Sequence, residues 1–236
     1  MSTGFRQGTR LLILLGLGLA LMAGGSLALE RGPELRLLPL ERVGFDGELA
    51  HVREADLRRV LQGHLKGGLL GVDVSAVRAA VESLPWVATA TVRRVWPDAL
   101  RITVDEQEPV ARWGGVALMN GQAGVFRPRQ LPAASLPALS GPPGSAARVL
   151  ARYQQLHALL EPLPLEPVGL ALDERRAWTL TLADGGQIRL GRESVESRLA
   201  RLVAAWPRIP GAADRQLALA DLRYPNGFAL RWQDED

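Results

Sequence analysis

Three features of the sequence predict an α+β fold carried behind a single membrane span. An uncharged apolar run lies near the N-terminus, two short helical patterns precede a β-hairpin pattern, and short alternating strands dominate the second half. The chain has 236 residues, enough for one or two domains with a substantial core.

Leu11–Leu29 (LLILLGLGLALMAGGSLAL) contains no charged residue. As a helix it spans about 28 Å, against a hydrocarbon core of about 30 Å. Arg6 and Arg10 precede it and no acid occurs among residues 1–10, so the positive-inside rule leaves that tail in the cytoplasm and exports everything after Glu30. A cleavable signal peptide competes with this reading. Leu11–Met22 has the length of a signal core, and Ser26-Leu27-Ala28 resembles a small-x-small cleavage site. Against it, apolar character continues through Leu29. Both readings deliver the same soluble portion to the same compartment.

Residues 30–36 form a charged spacer. Leu37–Phe45 reads as a strand closed by Asp46-Gly47, and Glu54–Leu61 as a helix with Gly63 just past its end. Gly67, Gly68 and Gly71 predict a loop. A second helix, capped by Asp73 or Ser75, sets Val77, Ala80, Val81 and Leu84 on one face until Pro85 stops it. Ala88–Trp96 and Ala99–Glu106 alternate around Pro97-Asp98 as a hairpin, with Leu100, Ile102 and Val104 facing in. Strand, helix, helix, strand, strand over residues 37–107 make one small α+β domain.

Residues 108–236 form a second region, opened by Pro109. Val116–Met119 and Val125–Phe126 flank the Asn120-Gly121 turn, and the Pro/Gly-rich stretch Leu131–Gly144 is expected to cross the surface. Ala146–Leu160 is a helix with Val149, Leu150, Tyr153, Leu156 and Leu160 at helical spacing. Strands are expected at Val168–Leu172, Ala177–Leu182 and Gln187–Leu190, then a helix at Glu193–Trp206, then strands at Leu217–Leu222 and Gly227–Trp232.

Composition excludes several classes of function. There is no cysteine, hence no disulfide framework, thiolate metal site or cysteine nucleophile. The pI near 10.1 suggests nucleic-acid binding, but net charge is only +3. The pI is high because one lysine, two tyrosines and three histidines leave little to titrate above neutrality, and the arginines alternate with Asp and Glu instead of clustering. No nucleic acid is expected as a partner.

No catalytic or metal site is expected either. His51, His64 and His157 sit in three separate elements, none at ligand spacing. Asp105, Glu106 and Glu108 alternate along a strand and read as a solvated edge. Ser135, Ser140 and Ser145 lie in a turn-rich loop without a nearby base. No P-loop, GxSxG or dinucleotide fingerprint occurs, so no cofactor or small-molecule substrate is expected. Trp86, Trp96, Trp113, Trp178 and Trp206 fit apolar patterns and read as core. Trp232, on the last strand, reads equally well as core or as interface.

Leu84-Pro85-Trp86-Val87, Val92-Arg93-Arg94, Trp96-Pro97, Leu100, Glu106 and Pro109-Val110-Ala111-Arg112-Trp113 resemble the end of the POTRA domain of the FtsQ/DivIB cell-division family. Leu190-Gly191-Arg192, Arg198-Leu199-Ala200-Arg201-Leu202 and Asp221-Leu222-Arg223-Tyr224 resemble the β domain of its proteobacterial FtsQ branch. The resemblance implies a retained inner-membrane anchor, a POTRA domain (β-α-α-β-β), and a mainly antiparallel β domain with flanking helices. It also implies a non-enzymatic divisome scaffold that binds FtsB and FtsL in the periplasm and links early and late division proteins at the septum. A tail of ten residues departs from the family and leaves cytoplasmic contacts in doubt.

Tyr224, Asn226, Gly227 and Trp232 match family positions around the FtsB-binding strand. Arg192 and Arg223 match basic positions suited to carboxylates on the partner. Other division proteins are expected to use the POTRA domain, at a strand edge or at Ser75–Leu84. A POTRA-bearing transport component would need a long strand array after residue 107, and a secreted hydrolase would need a catalytic constellation.

Overall fold

The computed structural model describes residues 38–133, 135–212 and 214–233. The expected span Leu11–Leu29 lies outside the described residues. Among the described residues, no helix is long and apolar enough to cross a membrane. The chain divides into two compact units. The first takes the chain through Gly47, Glu54–Val81 and Ala90–Thr103, and the second takes Glu48–Arg53, Glu82–Thr89 and everything from Val104 onward.

The first half of the chain builds a three-stranded sheet in the order β1 (Arg42–Asp46), β3 (Ala99–Glu106), β2 (Val87–Val95), with β1 parallel to β3. Leu100, Ile102 and Val104 are buried, as their alternation predicts. Helix α1 (Glu54–Leu61) buries Leu57 and Leu61, and α3 (Val74–Glu82) buries Val77 and Val81. The cap of α3 is Asp73, whose Oδ1 accepts the Ser75 and Ala76 amides at 2.8 and 3.1 Å.

Three expectations for this half are corrected. The first strand begins only at Arg42. The glycine-rich loop contains a helical turn, α2 (Gly68–Gly71), which buries Leu69. Trp96 is 62% exposed at the β2–β3 turn instead of packing in the core, because a tight turn projects its residues past the end of the sheet.

The second unit is organised on a nine-stranded sheet ordered β12-β11-β10-β9-β8-β7-β4-β5-β6. Its strands are β4 (Pro109–Trp113), β5 (Ala117–Asn120), β6 (Val125–Phe126), β7 (Ala138–Ser140), β8 (Pro167–Leu172), β9 (Trp178–Leu182), β10 (Gln187–Gly191), β11 (Leu217–Asp221) and β12 (Ala229–Trp232). Helices α4 (Ala146–Leu160) and α5 (Val195–Ala205) pack with the sheet through Val149, Leu156, Leu160, Leu199 and Leu202, all within one apolar core. The sheet is mixed: β7 runs parallel to both neighbours and β10 parallel to β11, while the other pairs are antiparallel.

The Pro/Gly-rich stretch is the main correction here. It does not merely cross the surface, because it supplies β7, an interior strand whose Leu139 is 1% exposed. Close approach to β8 is possible because residue 169 is glycine; a Cβ there would lie 2.9 Å from the Ala138 carbonyl oxygen. The strand β4 also escaped the sequence pattern, and β12 is shorter than expected, leaving Gly227 in the preceding turn.

Candidate partner-binding surface

Strand β12 is the outermost strand of the large sheet. It pairs antiparallel with β11, Ala229 opposite Asp221 and Trp232 opposite Leu217, and no strand among the described residues covers its other side. A strand edge of this kind presents unpaired amides and carbonyls to any partner strand.

The six expected partner-binding residues do not all behave alike. Tyr224 is 55% exposed, in the turn between β11 and β12, and Asn226 beside it is exposed. Gly227 has open space around its Cα, with nothing within 4 Å of where a Cβ would sit. Arg192, just after β10, and Arg223, just after β11, are exposed. Trp232 differs: its side chain is 6% exposed, packed at 6.0 Å from Trp206, with the Arg215 guanidinium 4.8 Å from its ring centroid. It faces inward because it lies opposite Leu217, itself 1% exposed, and paired residues share a face. Its ring packs into the core and leaves little side-chain surface at the edge.

Arg223 and Arg198 meet around Gly191. That residue has φ +77°, and a Cβ on it would lie 3.3 Å from Arg223 Cγ and 2.6 Å from Arg198 Nη1. The side chain of Arg223 is held by a fork onto Asp221, Nε to Oδ1 at 2.8 Å and Nη2 to Oδ2 at 2.5 Å. That hydrogen bond lowers the Asp221 pKa and raises that of Arg223. The ion pair fixes the direction of Arg223 without quenching it, since its outer face remains in solvent.

Two arginines on α5 hold the same surface from below. Arg198 Nη1 donates to the Leu190 carbonyl at 2.8 Å, and Arg201 Nη1 donates to the Pro225 carbonyl at 2.7 Å. Sequence reasoning gave neither this role. Their i, i+3 spacing on the polar face of a helix was visible, but their carbonyl partners are set by tertiary packing alone. Together the residues make a cationic rim with one exposed aromatic beside a free strand edge. The arrangement suits an extended segment bearing carboxylates. No group of three His, Asp or Glu among the described residues is placed to hold a metal.

Elsewhere in the second unit, Glu106 is not the solvated edge residue expected. Its carboxylate accepts the Val52 amide at 2.7 Å and the His51 amide at 3.0 Å, and lies 3.0 Å from His51 Nδ1. His51 stacks on Trp86, ring centroids 3.8 Å apart. This cluster is a structural staple.

The sequence matches the family model described as Cell division protein FtsQ/DivIB, C-terminal, over residues 111–223 and the POTRA domain, FtsQ-type, over residues 38–107. It is 39% identical over 218 residues to Cell division protein FtsQ of Burkholderia pseudomallei, covering 90% of this chain and 86% of that protein. It is 41% identical over 228 residues to Cell division protein FtsQ of Allochromatium vinosum, covering 96% and 91%. For Cell division protein FtsQ of a Thioalkalivibrio strain the figures are 37% over 230 residues, covering 97% and 95%.

Proposed function

The chain belongs to the FtsQ/DivIB family of cell-division proteins, and from that premise we propose that it is a membrane-anchored divisome scaffold whose β12 edge receives a strand of FtsB. In this reading Leu11–Leu29 anchors it in the inner membrane, with residues 1–10 cytoplasmic and the rest periplasmic. FtsL joins as the second member of the periplasmic complex, and the assembly links early and late division proteins at the septum.

One observation carries the binding mode. Among the described residues the last strand of the sheet has an uncovered edge, the turn leading into it presents Tyr224 beside Arg223, and Arg192 is exposed just after β10. Main-chain pairing along β12 supplies affinity of a kind that needs no particular side chain. Tyr224 supplies an aromatic anchor, and the arginines select carboxylates through charge-assisted bonds. Asn226 and Gly227 leave the approach to the edge sterically open.

The test is binding of the full chain in detergent to the periplasmic segment of FtsB. Tyr224→Ala is expected to weaken affinity about thirtyfold, corresponding to roughly 2 kcal/mol for a lost hot-spot aromatic, with unchanged thermal unfolding. Wild-type affinity in that variant would place the interface elsewhere.

A further inference from the structure

The first unit carries a set of exposed apolar side chains that partner binding at β12 does not use. Trp96 is 62% exposed, Leu70 49% and Val95 37%. Scattered single apolar residues on a surface require no explanation, whereas several gathered at one end of a small domain do.

Hydrogen bonds place Leu70 and Trp96 together. Arg94, two positions before Trp96, donates from Nε to the Leu69 carbonyl at 2.8 Å and from Nη2 to the Val72 carbonyl at 2.6 Å. The helical turn that carries Leu70 is thereby tied to the end of β2 that leads into Trp96, while Val95 faces the other side of the strand, beside Arg42, Ala99 and Arg101. The incoming chain arrives at the same end. The Leu69 amide donates to the Leu38 carbonyl at 2.9 Å, and the Glu41 and Arg42 amides donate to the Asp98 carbonyl at 2.9 and 3.2 Å. The Trp96 turn and Leu70 thus lie beside the first described residues of the chain.

That position has a sequence consequence. Leu38 follows the uncharged run ending at Leu29 by only nine residues, which reach at most about 30 Å when fully extended. Arg94 is held at this end by its bonds to the Leu69 and Val72 carbonyls, the Lys66 carbonyl lies beside Gly71, and Arg42 is paired with Asp98 at 2.6 Å. A projecting indole at an end of the unit that also carries Arg94 and Lys66 has the chemistry of a bilayer–water interface. Indoles settle at the headgroup level, and Lys and Arg are drawn to anionic lipid.

We propose that Trp96, with Leu70, docks the first unit onto the anionic surface of the membrane in which the chain is anchored. The docking rests on the anchor reading given above. It would fix the membrane-proximal unit against the bilayer instead of leaving it on a free tether.

None of the six tryptophans lies in Leu11–Leu29, so tryptophan contact with lipid reports on the rest of the chain. The full chain is reconstituted in vesicles of phosphatidylethanolamine and phosphatidylglycerol, with and without lipid brominated near the headgroup end of the acyl chain. Wild type is compared with Trp96→Phe, which replaces an exposed ring and is checked by thermal unfolding. Brominated lipid is expected to quench part of the wild-type emission, and that part is expected to vanish in Trp96→Phe. Equal quenching in both proteins, or none in either, would overturn the proposal. Alkaline carbonate is applied to the same vesicles. Extraction of the protein would overturn the anchor reading and this one together. A carbonate-resistant chain whose Trp96 emission ignores brominated lipid would overturn the docking alone, and would point to a protein partner for the patch.

Discussion

Tyr224 and Trp232 flank the same terminal turn, and their exposures assign them opposite kinds of energy. Trp232 lies against Trp206 in the core at 6% exposure, so Trp232→Ala is expected to cost about 3–5 kcal/mol of stability through lost burial and a residual cavity. Tyr224→Ala at 55% exposure should move stability by less than about 0.5 kcal/mol. Chemical unfolding of the two variants separates them. A Trp232→Ala protein as stable as wild type would mean that the ring contributes no packing. Glu106 supplies a second prediction at this scale. Burial by itself would raise its pKa, but the Val52 and His51 amides and the His51 ring bind the ionised form and the net shift is downward from 4.5. A lowered carboxyl stabilises the folded state above its unfolded pKa and loses that contribution as pH falls through the folded one. Stability should therefore decline below about pH 4.5, and Glu106→Gln should be less stable at neutral pH with a shallower acid slope. Unfolding followed from pH 7 to pH 3 measures both.

At the scale of elements, legibility followed a clear period or a flanking turn signal, as where Asn120-Gly121 marked the two-residue strand Val125–Phe126. Glu54–Leu61, Ala99–Glu106 and Ala146–Leu160 run eight residues or more, and their periods placed these boundaries correctly. Ala138–Ser140 has three residues between Pro137 and Gly141, too few for any period to show. Its identity as an interior strand comes from neighbours on both sides, Arg112 opposite Ala138 and Leu170 opposite Leu139. Leu139→Ala is accordingly expected to cost about 2–5 kcal/mol, although the surrounding Pro/Gly content suggested a surface loop; an effect below about 0.5 kcal/mol in denaturant unfolding would contradict an interior position. Of the residues proposed to meet a partner, only exposure can be compared. Arg192, Arg223 and Tyr224 were visible in the sequence and are exposed. The inward register of Trp232 and the carbonyls held by Arg198 and Arg201 depend on strand pairing and helix docking that no local pattern contains.

For the molecule as a whole, the relevant quantity is where the charge sits. The net charge is only +3, too small for a global field to steer an acidic partner, since exposed charges separated by more than about 10 Å are largely screened at 0.1 M salt. Any salt dependence of association must therefore come from a local arrangement. Arg192, Arg198, Arg201 and Arg223 converge near the ends of β10 and β11, with Asp221 committed to Arg223. The opposite edge of the large sheet is β6, which has only two residues, one of them the buried Phe126, and offers little ladder to a partner strand. Within the described large sheet, the open edge and the local positive charge coincide at β12. If the proposed strand addition brings carboxylates of FtsB to this rim, association should consequently be faster at low ionic strength, because complementary charge acts mainly on the encounter. Arg223→Glu should slow association most at low salt, where the lost attraction is least screened, and should bring the low-salt and high-salt rates closer together. Stopped-flow association at two ionic strengths decides the matter: a wild-type rate indifferent to salt would mean that the arginines do not face the partner's carboxylates.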